Sequence, residues 1–90
     1  MITVVKTDGS HYHVARNDAL DQHGDMLTFC QKTVGGHIEF APVAAGEGIQ
    51  VVVNESGLLH GFEQNDFATV LCQQTIVGDI VVLTEEDLLD

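Results

Sequence analysis

Apolar residues gather in five short segments of the chain, and each segment predicts a β-strand. The segments are rich in β-branched residues, and Gly, Asp, Asn or Pro separates one from the next. Alternating or continuous apolar runs of this length, bounded by turn residues, are typical of strands in a partly buried sheet. The five predicted strands cover residues 2–6, 11–16, 37–43, 49–53 and 76–83.

Turn residues define the connections between these strands. The 7–10 segment has Asp-Gly at its centre, which favours a tight hairpin turn between the first two strands. Pro42 has no N–H to donate to a neighbouring strand, so the third strand ends there or lies at the sheet edge. The 44–48 segment is a predicted loop. Asn54 and Gly57 both tolerate left-handed backbone conformations and predict a turn after the fourth strand.

The first predicted helix covers residues 25–33, with an earlier start at Asp18 as the alternative. Apolar residues in this part of the chain form a partial helical face. Asn17 and Asp18 are both acceptable N-cap residues. Gly35 and Gly36 predict the end of the helix, because glycine adopts the positive φ that helix C-termini favour.

The second predicted helix covers residues 64–74, and its N-cap is Asn65 or the residue just before it. With 90 residues the chain has the length of one domain, 1–90, because two smaller pieces could not each bury a useful core. The predicted fold is α+β, with a small mixed or antiparallel sheet of about five strands packed against two helices. The acidic 84–90 tail is expected either to form one capped turn or to fray.

An internal similarity links the two halves of the chain. Residues 30–38 align without gaps on residues 72–80, and five of the nine pairs are identical. Each copy is a predicted helix end, a glycine and a strand start, so the two helices are expected to pack on the sheet in similar ways. A duplication and the shared requirements of helix-to-strand turns both explain the similarity.

Negative charge dominates the composition and narrows the choice of partners. The chain has 14 Asp and Glu against three Lys and Arg, a formal net charge of −11, and residues 46–90 hold nine acids and no base. Such a field repels phosphate backbones, so direct nucleic-acid binding is not expected. It attracts basic protein surfaces, although charge that only keeps the domain in solution is the plain alternative.

The remaining composition indicates an intracellular protein. No apolar run reaches the roughly 20 residues of a membrane-spanning helix, and the first residues lack the regions of a signal peptide. We therefore expect no membrane contact and a cytoplasmic location. Cys30 and Cys72 have no partners at zinc-motif spacing, so we expect two buried free thiols.

No catalytic motif is visible, and neither an enzymatic activity nor a cofactor is expected. The chain lacks a nucleophile triad pattern, a phosphate-binding glycine loop and a zinc-helix motif. His11 and His13 are two residues apart on a predicted strand and share a face. Two ligands do not make a metal site, and a third would have to come from His37, His60 or Asp79.

Eight residues are candidates for a binding site. Asn54 and Asn65 carry amides that donate and accept, and these could line a groove beside the Gly35-Gly36 turn, where a ligand can approach the backbone. Their structural roles would be a left-handed turn and a helix cap. Glu39 and Glu55 are a candidate carboxylate pair. The full set is Gly35, Gly36, His37, Glu39, Asn54, Glu55, Asn65 and Asp79.

Four blocks of sequence resemble a known family. They are residues 34–39, residues 54–59, Asn65 with Ala68 and Thr69, and residues 76–79. In order and spacing they resemble the family called domain of unknown function 3846, over residues 25–83. The resemblance carries over Gly35, Gly36, Glu39, Asn54, Glu55, Gly57, Asn65, Gly78 and Asp79. His37 departs from the tyrosine-like position of the family, which removes the basis for a stacking role there.

The resemblance implies a protein of bacteriophages, conjugative elements or actinobacteria, with no activity established for the family. We expect a non-enzymatic accessory protein that binds a basic surface of a host protein in the bacterial cytoplasm and so inhibits or sequesters it, a counter-defence role. An acidic face could imitate DNA, or a pocket in a homo-oligomer could capture a nucleotide signal. The alternative classes are a small metal- or nucleotide-binding module or enzyme accessory domain that uses the Gly35-Gly36, Asn54 and Asn65 region, and a docking module of larger proteins.

Overall fold

The computed structural model describes residues 1–43 and 48–89, and the predicted 44–48 loop lies outside these residues except for Gly48. The described chain forms five strands, three short α-helices and a closing 3-10 turn. In chain order they are β1 (Ile2–Val5), β2 (His11–Val14), α1 (Arg16–Ala19), α2 (Leu27–Val34), β3 (Ile38–Ala41), β4 (Ile49–Asn54), α3 (Asp66–Cys72), β5 (Ile80–Thr84) and the 3-10 turn Glu85–Asp87.

The five strands form one antiparallel sheet in the order β2-β1-β5-β4-β3, which confirms the predicted α+β class. The β1–β2 hairpin turns where it was predicted, with Gly9 at a φ of 91° and the Asp8 carboxylate accepting from the Ser10 backbone N–H. β3 is an edge strand that ends immediately before Pro42, as that proline predicted.

Each face of the sheet carries its own helix, because successive side chains of a strand point to opposite faces. On one face, sheet residues such as Val52 and Val81 pack against α2 around Cys30. On the other, residues such as Val51 and Ile80 pack against Ala68 of α3. The expectation that both helices pack on the sheet in similar ways is therefore wrong in one respect, since they cover opposite faces.

The first helical region is divided in two, so the predicted 25–33 helix corresponds to α2 and only the alternative start at Asp18 is wrong. Asn17 and Asp18 lie inside α1 instead of capping a longer helix, and the N-cap residue of α1 is Ala15. The Asp21 carboxylate accepts from the backbone N–H groups of His23 and Asp25, at 2.8 and 3.0 Å. These bonds hold a tight turn that separates α1 from α2, because an Asp side chain offers the backbone an alternative to helical bonding.

The end of α2 matches the prediction, whereas α3 and β5 are shorter than predicted. Gly35 ends α2 with a φ of 84°. The last residue of α3 is Cys72. The next residue, Gln73, has a φ of 54°, which is unusual for a residue with a side chain. Gly78 has a φ of 84°, so Val77 forms only an isolated bridge with Gln64 and β5 begins at Ile80.

The two copies of the internal similarity consequently adopt different structures. In the first copy the helix continues from Cys30 to Val34, whereas in the second it ends at Cys72. After its cysteine, α2 has four more helical residues and α3 has none, although the two segments are similar in sequence. Their surroundings differ because each lies against a different face of the sheet.

The acidic 84–89 segment is ordered by contacts with the start of the chain. The Asp87 side chain is buried, and it accepts from the Met1 amino group at 2.7 Å and from Arg16 at 2.5 Å. The Leu89 backbone N–H and C=O both bond to the Gln50 side chain. The segment therefore forms one turn, which was one of the two predicted outcomes.

Candidate functional site

An open groove of about 580 Å³ lies beside β3 on the α3 face of the sheet. It is bounded by β3 and the end of β4 on one side and by the 55–59 turn and the 74–77 segment on the other. We call it the β3 groove. Three of the eight candidate binding residues line it, namely Glu39, Asn54 and Glu55. The predicted carboxylate pair therefore faces one groove, and the described residues that line it include no Lys, Arg or His.

The side chain of Asn54 is buried and holds the end of α2 and the 55–57 turn together. Its Nδ2 donates to the Val34 carbonyl at 3.0 Å, and its Oδ1 accepts from the Ser56 backbone N–H at 2.8 Å. Asn54 is the last residue of β4 and does not have a positive φ, so the predicted left-handed conformation is wrong. The turn forms through side-chain bonding, the other way in which Asn starts turns.

The Gly36 backbone lies directly against the Asn54 amide. A Cβ atom at position 36 would lie 2.9 Å from the Asn54 Nδ2 atom, inside the normal contact distance. The absence of a side chain at Gly36 therefore allows the close approach of α2 and β4. The space beside Gly36, where the sequence suggested that a ligand could approach, is occupied by the Asn54 amide.

Asn65 caps α3 as predicted and has further partners. Its Oδ1 accepts from the Ala68 N–H at 3.1 Å, and its Nδ2 donates to the carbonyls of Val5 and Gly78 at 3.1 and 3.0 Å. The residue is only 1% exposed and lies away from the β3 groove. The amides of Asn54 and Asn65 thus bond within the chain and do not converge on one ligand groove.

Gly35 and Asp79 line a separate cavity of about 240 Å³. The Phe62 ring lies close to the two glycines of positive φ in this region, since a Cβ atom would lie 3.7 Å from it at Gly35 and 2.9 Å at Gly78. The Asp79 carboxylate accepts from the Thr7 backbone N–H at 3.1 Å. Because neither Gly35 nor Gly78 has a side chain, the Phe62 ring can pack against both backbones.

The remaining candidates and the histidine pair do not form a metal centre in the described chain. His37 is exposed, and its carbonyl accepts from the Glu55 backbone N–H at 3.0 Å. His11 and His13 share a face with ring centroids 6.4 Å apart, and the His13 Nδ1 lies 2.9 Å from the Thr3 hydroxyl. Among residues 1–43 and 48–89, no three His, Cys, Asp or Glu side chains are placed to hold one ion.

Both cysteines are buried free thiols, as predicted. Burial, together with the negative charge of Asp25, raises the pKa of the Cys30 thiol to about 11. Burial also raises the pKa of Cys72. Because the thiolate is the reactive form, both side chains are poor nucleophiles at neutral pH.

Exposed apolar side chains near β3 are the feature that the sequence prediction missed. Leu58 and Leu59 are 74% and 89% exposed in the β3 groove. On the opposite face of β3, exposed Leu27 and Leu88 line a second groove of about 470 Å³. Phe40 lines both grooves. The signal was a pair of leucines inside a loop, between two glycines, where no periodic face exists to bury them.

In the part of the chain that the structure describes, no helix is long and apolar enough to cross a membrane. Comparisons with family models, curated proteins and solved structures find no match to this chain. The resemblance to the domain of unknown function 3846 family therefore stays a prediction.

Proposed function

We propose that this protein is a non-enzymatic binding domain that recognises a basic surface on a partner protein. The observation that carries the proposal is the scarcity of cations, with three Lys and Arg against 14 acids. One of the three, Arg16, is paired with Asp87. A field of this sign accelerates encounter with basic surfaces and disfavours nucleic acids and anionic nucleotides.

The geometry of the β3 groove supports protein binding. Its lining combines the carboxylate residues Glu39 and Glu55 with the exposed Leu58 and Leu59. Apolar side chains left in water beside charges of one sign are typical of surfaces that contact other proteins.

The biological setting comes from the family resemblance and is part of the proposal. The protein would be an accessory protein of a phage or mobile element that acts in the bacterial cytoplasm. By covering the basic surface of a host protein, it would inhibit or sequester that protein, and if the surface normally binds DNA the acidic domain would take the place of DNA.

The proposal is tested by mixing the purified protein with the heparin-binding proteins of a bacterial lysate at low and high salt. We expect capture of a basic protein, loss of capture as salt rises, and inhibition of that partner's own DNA binding once it is purified. An unrelated acidic protein of similar size and charge serves as the control. Salt-resistant capture of nucleic acid, a stoichiometric bound nucleotide, or turnover of a substrate would contradict the proposal.

A further inference from the structure

On its outer edge, β3 has backbone groups that pair with no other strand of the described residues. Within the described residues, β3 pairs only with β4. The His37 carbonyl points toward β4, where it accepts from Glu55. Backbone groups alternate in direction along a strand, so those of Ile38 and Phe40 point away from β4. The edge therefore offers the N–H and C=O groups of two residues.

The side chains beside this edge differ between the two faces of the sheet. The β3–β4 register pairs Glu39 with Val53 and Phe40 with Val52. Cross-strand partners share a face, so Glu39 points to the α3 face and Phe40 to the α2 face. The α3 side of the edge has Glu39, with Glu55, Leu58 and Leu59 nearby. The α2 side has Phe40, with the exposed Leu27 and Leu88 and the charged Arg16 and Asp25 nearby.

Half of the large exposed apolar residues lie in the two grooves beside β3. Ten large apolar residues of the described chain are exposed, and Leu27, Phe40, Leu58, Leu59 and Leu88 are among them. These five line one groove or the other. Exposed apolar surface next to an open strand edge marks a place where a further strand gains both backbone bonds and side-chain burial.

We propose that the β3 edge binds an extended segment of the partner protein as a sixth strand, and that basic and apolar residues alternate in this segment. This inference rests on the proposed function and gives it a location. Side chains of an added strand point alternately to the two faces, so basic residues would lie by Glu39 and Glu55 while apolar ones lie by Phe40 and Leu27.

Charge selects a foreign basic strand over a second copy of this chain. Pairing β3 with its own copy would bring two copies of Glu39 and Glu55 together, on molecules that each carry a formal charge of −11. Like charges across a shared edge are unfavourable, whereas Lys or Arg opposite these carboxylates is favourable.

The probes are a synthetic peptide of alternating Lys and Val, a peptide of the same composition with all Lys before all Val, and an alternating Glu and Val peptide. Binding is measured by fluorescence anisotropy. We expect the alternating basic peptide to bind more tightly than the segregated one, and the acidic peptide not to bind.

Two N-methylated forms of the alternating peptide test the backbone bonds, one methylated at every Val and one at every Lys. Only one set of N–H groups faces β3, so one form should lose about tenfold or more while the other is tolerated.

Matched variants test the location. Glu39→Gln with Glu55→Gln should weaken binding by about 2- to 30-fold, the range for two exposed ion pairs. The control Glu63→Gln with Glu86→Gln removes the same charge outside the β3 groove and should have a smaller effect. Leu27→Asn, on the α2 side of the edge, should weaken binding about tenfold, whereas Val70→Asn, on the exposed side of α3, should leave it unchanged.

The outcomes separate this inference from the proposed function. If basic peptides bind but both N-methylated forms bind equally, or both pairs of Gln variants behave alike, the location is wrong and the acidic binding function stands. If neither basic peptides nor basic proteins bind, both are wrong. Dimerisation of the free protein that Phe40→Lys abolishes would assign the edge to a second copy and overturn the inference.

Discussion

At the residue scale, Asp87 shows how a buried acid in an acidic tail becomes a structural contact. Its carboxylate accepts hydrogen bonds from the Met1 amino group and from Arg16, and these bonds, the amino group first, hold its pKa below the usual 3.8. Charge-assisted hydrogen bonds are among the stronger polar contacts in proteins. The two cationic partners are about half exposed, so water and salt reduce the gain.

Asp87→Asn is expected to lower the free energy of unfolding at neutral pH by about 1–2 kcal/mol. Because the folded pKa lies below the unfolded one, the contribution of Asp87 is complete above the unfolded value near 4 and is lost as pH falls through the folded value. Urea unfolding of both proteins at several pH values measures this difference. A difference in unfolding free energy between the wild-type and Asp87→Asn proteins that stays constant far below pH 4 would contradict this expectation. The control is Asp18→Asn, at an exposed position of α1.

At the scale of elements, a single amide connects α3 with β1 and with the Gly78 turn before β5. Asn65 supplies the helix cap and the donors to Val5 and Gly78, and its side chain is buried. Asn54 joins α2 to β4 in a comparable way. Helices this short are marginal alone, so such contacts decide where they dock.

Asn65→Ala is expected to destabilise the protein by about 2–4 kcal/mol, since it removes the cap and leaves two buried carbonyls without their donor. Asn65→Asp keeps the acceptor but places a charge against the same carbonyls, so it should not restore stability. The comparison is made by urea unfolding. Asn17→Ala, at an exposed position of α1, should change stability by no more than about 0.5 kcal/mol. Equal effects at positions 65 and 17 would show that the amide has no bridging role.

At the scale of the whole molecule, charge opposes the compact state. A formal charge of −11 on 90 residues gives repulsion that screening by salt or binding of a cationic partner relieves. The same repulsion favours the binding of basic segments at the β3 edge. Stability and recognition are therefore linked through one electrostatic field.

Added sodium chloride is expected to raise the free energy of unfolding, by on the order of 1 kcal/mol, the interaction energy of one close pair of charges in water. A variant with Glu63→Lys and Glu86→Lys removes negative charge at two exposed positions and should gain less from salt. Both are measured by urea unfolding over a series of salt concentrations. Stability that does not respond to salt, or an equal response from the variant, would contradict the expectation.

The sequence by itself determined the local features that depend on neighbouring residues. The Asp8-Gly9 hairpin, the end of α2 at Gly35, the Asn65 cap and the edge position before Pro42 all follow from short-range backbone rules. The α+β class followed from the spacing of apolar segments, and the acidic character followed from counting charges.

Only the tertiary structure decided which segments meet. Side-chain bonds from Asp21 divide the first helical region, and the two helices take opposite faces although their ends are similar in sequence. Asn54 and Asn65 each bond to residues far along the chain, so their amides are used within the fold. Glu39 and Glu55 share a groove with Leu58 and Leu59 because β3 and β4 pair. Such pairings depend on contacts between distant residues, which local preferences along the chain do not encode.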